Sequence, residues 1–135
     1  MRNIASIFVG LIAGVFVIAC IQWIGNTLFP ADIPFPEKRI EQKTYMEHVP
    51  FMAKLVVLIS YGGAAFVTGI VATYIQGRTD YRPILIATAT IQLLIWMNMM
   101  TVTHPVWMWI FATLLVVPVG YLTFRKFRIK DETAP

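Results

Sequence analysis

Lys54-LVVLISYGGAAFVTGIVATYIQG-Arg78 is the stretch whose reading decides the fold: the 23 residues between the two charges carry no ionised side chain. A helix rises about 1.5 Å per residue, so the run reaches about 34 Å, enough for a hydrocarbon core of about 30 Å. Gly62, Ala65, Gly69 and Ala72 recur within it at helical spacing and are expected on one face. No hydrophobic drive pushes helices together in lipid, so close approach along small residues must supply the packing. The segment is therefore expected to be the helix onto which the others dock.

Composition excludes a soluble reading. Of the 135 residues, 58% are hydrophobic and 13% charged, and the mean hydropathy is +0.69. Soluble domains carry about a quarter charged residues, so the chain has too few to coat a surface facing water. The length allows one domain, residues 1–135. The net charge of +4 sits at the ends of apolar runs, where membrane topology puts it. No basic stripe with interleaved aromatics accompanies it, which argues against nucleic acid. Cys20 is the single cysteine, so neither an intrachain disulfide nor a Cys-based zinc motif is available.

Upstream, Ile4–Phe29 is a second uncharged run, preceded by Arg2. Val17-Ile18-Ala19-Cys20 resembles a lipoprotein cleavage box, but the apolar run continues through Ile21, Trp23, Ile24 and Leu28. A retained transmembrane helix is the expectation. Gly10 and Gly14 give it a GxxxG spacing that suits a tight helix contact. The connector of residues 30–50, PADIPFPEKRIEQKTYMEHVP, opens with three breakers, Pro30, Pro34 and Pro36. It reads chiefly as a solvated connector, with a short surface helix within Glu37–Val49 as the alternative.

Downstream, Arg82 and Arg125 enclose 42 residues without Asp, Glu, Lys or Arg, too many for one span and right for two. Thr101, Thr103, His104 and Pro105 mark the break. Pro83 and Pro105 suit first-turn positions, where a missing N–H costs nothing. Pro118 should bend the last helix locally, and the tail RKFRIKDETAP reads as polar and mobile beyond its basic cluster. The expected architecture is all-α, an integral membrane four-helix bundle with helices at about 4–29, 54–77, 83–103 and 105–124.

Orientation follows from Lys and Arg. Arg2, Arg78, Arg82, Arg125, Lys126, Arg128 and Lys130 lie on one side, against Lys38, Arg39, Lys43 and Lys54 on the other. The excess puts both termini in the cytoplasm and the 30–50 loop outside. Trp23, Trp107 and Trp109 fall at one interface, and Tyr74, Tyr81 and Tyr121 at the other.

Chemistry is scarce. Ionisable residues within a membrane point to transport or proton relay, and none lies deep in these runs; Lys54 can snorkel to the interface. The small multidrug-resistance transporters are similar in size and helix count, but they need a carboxylate in the first helix, which Ile4–Phe29 lacks. His48 and His104 fall at the outer surface without metal-ligand spacing, and haem would want His within the spans. No phosphate loop, Ser/His/Asp set or acidic pair is present, so no catalytic residue, cofactor or metal is expected. Uncharged polar residues remain. Thr88 and Gln92 share a face near the midplane, while Gln22, Asn26, Lys54, Asn98 and His104 come to one depth near the outside. They serve either as interhelical hydrogen bonds or as the lining of a hydrated outer pocket, and packing is the favoured reading. Asn26 and Lys54 at least are expected to face inward.

The segments GLIAG (Gly10–Gly14), NTLFPADIPFP (Asn26–Pro36) and PVWMWI (Pro105–Ile110) resemble uncharacterised small four-span membrane proteins of bacteria. The resemblance implies location and architecture only, a multi-pass protein of the bacterial inner membrane. Two functions stand open, with a lipid-handling role a distant third. One is a non-enzymatic protein working through contacts, as an accessory subunit with other membrane proteins or as a homo-oligomer with itself. The other is a small transporter or channel for a neutral or lipophilic solute.

Overall fold

The computed structural model describes residues 1–38 and 40–128. Arg39, Lys130 and the rest of the tail, which entered the charge count and the mobility expectation, lie outside the described residues. Those described form five helices: α1 (Arg2–Leu28), α2 (Glu41–His48), α3 (Phe51–Gln76), α4 (Arg82–Thr101) and α5 (Val106–Phe127). Four of them, all but α2, are long and apolar enough to cross a membrane.

The ends differ from expectation by one to three residues because backbone hydrogen bonding, not charge, ends a helix. Pro50 caps α3, so Phe51–Ala53 join it ahead of Lys54. Pro105 caps α5 from outside it, whereas Pro83 lies in the first turn of α4. Pro118 sits within α5, which continues through it to Phe127. The connector contains α2, a short helix within the Glu37–Val49 stretch, with Glu41, Lys43, Thr44, Glu47 and His48 exposed. Phe35 folds back edge-on to Tyr45 of α2, with ring centroids 5.2 Å apart.

The four long helices run alternately up and down. α3 lies against α1, α4 and α5, and α4 also touches α1 and α5, while α1 and α5 do not approach one another. The core follows that geometry, with Leu58, Tyr61, Ala65, Ile91, Ile95, Met99, Met108, Ala112 and Val116 in one cluster. A second cluster of Ala72, Ile84, Ala87 and Phe124 lies toward the chain termini. By contrast α1 buries only Ser6, Gly10, Gly14 and Gly25, and Ile4, Phe8, Ile12, Phe16 and Trp23 project outward. Such a rim is costly in water and suited to lipid.

Six threonine hydroxyls in the long helices are satisfied locally, as a medium without water demands. The hydroxyls of Thr27, Thr73, Thr88, Thr90, Thr101 and Thr123 each donate to the carbonyl four residues earlier. The end bearing the chain termini is tied by side chains. Arg2 donates from Nη2 to Gln76 O at 2.8 Å and from Nε to Ile75 O at 3.3 Å, placing a cation on the negative end of α3. Gly77 follows with φ +100°, a left-handed position that a side chain would strain. Gln76 Oε1 then accepts from Thr79 N (3.0 Å) and Asp80 N (3.1 Å), closing the α3–α4 turn.

Candidate functional site

The small residues of α3 serve two partners rather than one face. A Cβ at Gly62 would stand 2.9 Å from Leu115 Cδ2, and one at Gly69 would stand 3.1 Å from Gly120 O. Both therefore look at α5. On the α1 side, a Cβ at Gly10 would lie 3.1 Å from Ala72 Cβ, and one at Gly14 would lie 3.3 Å from Ala64 O. Thr68 Oγ1 donates to Gly10 O at 3.0 Å, a hydrogen bond between helices. Ala65, fully buried, sits between the two seams in the main core cluster. The expectation of a single face carrying Gly62, Ala65, Gly69 and Ala72 is corrected accordingly. A helix with neighbours on both flanks presents two seams about 100° apart, and small residues are needed along each.

The five polar residues expected at one depth divide into three groups. Gln22 and Asn98 join a chain through α3. Gln22 Nε2 donates to Ser60 Oγ at 3.3 Å, and Ser60 Oγ donates to Val57 O at 2.6 Å. Asn98 Nδ2 donates to Tyr61 Oη at 3.0 Å, so Gln22 and Asn98 engage adjacent residues of α3. Tyr61 is 1% exposed. Helical side chains lean toward the helix N-terminus, so its ring reaches from mid-span toward the end where α3 starts, which is where Gln22 and Asn98 lie.

Lys54 and His104 belong elsewhere. They line a recess of about 340 Å³ bounded by Lys43, Met46 and Glu47 of α2 and by the α4–α5 turn at Thr103, Pro105 and Val106. His104 Nδ1 lies 2.6 Å from Val102 O; a carbonyl can only accept, so Nδ1 carries a proton and donates. Among the described residues, the side chains of Lys43, Glu47 and Lys54 make no hydrogen bond or ion pair. Lys54 thus faces this recess, not a helix interior as expected.

Asn26 corrects the expectation outright. It is exposed and makes no hydrogen bond among the described residues. The buried residue one position earlier is Gly25, packed on Val56, and with Gly25 turned inward Asn26 is rotated about 100° away.

Two groups were missed in the sequence. Ser60 and Tyr61 form an uncharged polar pair in mid-run, the only such pair away from the ends of α3, and that isolation was the available signal. The approach of Lys43 and Glu47 to Lys54 carries no local signal, because the fold of the connector decides it. Near the midplane, Gln92 is 4% exposed; with its amide oriented to suit its neighbours, it donates to Ala112 O (3.2 Å) and accepts from Trp96 Nε1 (2.9 Å). Compared with protein-family models, curated proteins and solved structures, the chain matches none.

Proposed function

We propose that this chain is a non-enzymatic, multi-pass protein of the bacterial inner membrane, a four-helix bundle with both termini in the cytoplasm, and that it works through contacts as an accessory subunit or homo-oligomer. One observation carries the reading: polar groups buried in the spans are already engaged by protein. Ser60, Thr68, Thr73, Thr88 and Thr123 bond to carbonyls, and Gln92 has Ala112 and Trp96. Among the described residues, the one buried side-chain polar atom without a partner is Gln42 Oε1, outside the long helices. A solute path would leave inward-facing groups for the solute to bond. Here the buried polar groups are committed to carbonyls of their own helix or, for Thr68 and Gln92, of a neighbouring one, and the outer surfaces remain for partners.

Isolation in mild detergent followed by mass measurement, with crosslinking in the native membrane, tests the proposal. A multimer or a defined co-purifying membrane protein is the expected result. A strictly monomeric particle with no crosslinked neighbour, combined with solute flux in proteoliposomes, would replace it by the transporter reading.

A further inference from the structure

We propose that the recess between α2, the first turn of α3 and the α4–α5 turn binds a phosphate ester bearing an ammonium group, supplied as the headgroup of a membrane phospholipid: Lys43 and Lys54 take the phosphate and Glu47 the ammonium. This goes beyond a role in protein contacts and rests only on the chain's residence in a membrane.

Four observations converge. First, the recess holds about 340 Å³, at the lower end of ligand pockets, which run from about 300 Å³; it suits a headgroup rather than a whole lipid. Second, its charges are uncommitted: Lys43, Lys54 and Glu47 line it, and none of their side chains forms an ion pair or hydrogen bond among the described residues. Two cations and one anion match a phosphodiester with a tethered ammonium better than a purely anionic headgroup, which Glu47 would repel. His104 agrees. Its Nδ1–H is spent on Val102 O, so in the neutral ring Nε2 is an acceptor, a second place for an ammonium proton.

Third, the remaining wall is apolar, formed by Met46, Pro105 and Val106. Val106 is 74% exposed, and Phe51 and Met52, in the α3 turn that carries Lys54, are 60% and 55% exposed. Acyl chains leaving the recess would meet greasy side chains, not water. Fourth, α3 and α5 both start at this end, with no acidic residue in the first turn and no side-chain cap. Their positive dipole ends therefore favour an anion nearby. Each phosphate contact would be a charge-assisted hydrogen bond, the strong kind.

The test uses the full chain in mixed micelles holding equal amounts of phosphatidylethanolamine and phosphatidylglycerol with identical acyl chains, with retained lipid read by native mass spectrometry. The wild type should retain phosphatidylethanolamine in preference. The K43Q/K54Q variant should lose about tenfold in retention of both lipids, the effect of one charge-assisted bond or more. E47Q should invert the preference toward phosphatidylglycerol. All three positions lie at the periphery, and unchanged helicity and particle size confirm folding. No preference in the wild type, or retention unchanged in K43Q/K54Q, overturns the proposal. Glycerophosphoethanolamine is the control for source: failure to displace the lipid supports a membrane ligand, and displacement at matching concentration overturns the lipid assignment in favour of a soluble ester.

Discussion

At the scale of single residues, the distance to a neighbour decides what a glycine is worth. A Cβ at Gly14 would run into Thr68 Oγ1 and would stand 3.3 Å from the Ala64 carbonyl. Thr68 cannot yield without losing its bond to Gly10 O. A Cβ at Gly63 would meet only Ile21 Cδ1 at 3.2 Å and Val17 Cγ1 at 3.5 Å, tips of side chains that can move. Gly14→Ala should therefore cost about 1–3 kcal/mol, the range for overpacking, and Gly63→Ala distinctly less. Thermal unfolding in detergent measures both; equal losses would mean that α1 can shift away from α3 freely. A second contrast separates Tyr61 from Asn26. Tyr61→Phe removes the acceptor for Asn98 and should cost about 0.6 kcal/mol, typical of interhelical hydrogen bonds in lipid. Asn26→Leu removes no contact and should be silent within about 0.5 kcal/mol. A larger loss at Asn26 than at Tyr61 in the same assay would refute the assignment.

Among elements, α3 is the common wall. Because its two seams address different partners, bulk on each should part a different pair of helices. Gly69→Leu faces Gly120 and Thr123 and should widen the gap between α3 and α5 while leaving α1 in place. Ala72→Leu, against Gly10, should move α1 and spare α5. Val71→Leu is the control, being half-buried and on neither seam. Spin-label distances across the α1–α3 and α3–α5 pairs read the difference, and a common displacement in both variants would restore a single docking face. α2 stands apart, since it makes no backbone approach to any long helix. Among the described residues, α2 meets its surroundings through Tyr45 on Phe35 and through the recess shared with Lys54 and His104.

For the whole molecule, the open question is which end faces out. The excess of Lys and Arg on the side of the termini favours a cytoplasmic location for both. In the connector, Gln42 is 8% exposed and would label poorly from either side, whereas Ile40 is 90% exposed. With Cys20 replaced by alanine, Ile40→Cys should react with an impermeant maleimide on intact cells, and a reporter fused after Pro135 should stay cytoplasmic. Labelling of Ile40→Cys only after permeabilisation would reverse the molecule.

How much was legible follows from the range of each interaction. The existence, number and approximate ends of the long helices were readable in uncharged runs between Arg2 and Arg125, because in lipid each backbone must close its hydrogen bonds within its own segment. That condition is local, so sequence alone determines it. The presence of small residues for close packing was legible for the same reason. Which neighbour Gly69 or Ala72 meets was not, since rotating a helix by one residue changes the partner while leaving its composition unaltered. Depth misled for the polar layer: Gln22 and Asn98 engage the adjacent Ser60 and Tyr61, yet Asn26 turns outward and Lys54 joins a recess lined by α2. Depth comes from counting residues along one helix, but azimuth and the path of the connector depend on contacts among all of them, and only the tertiary structure decides those.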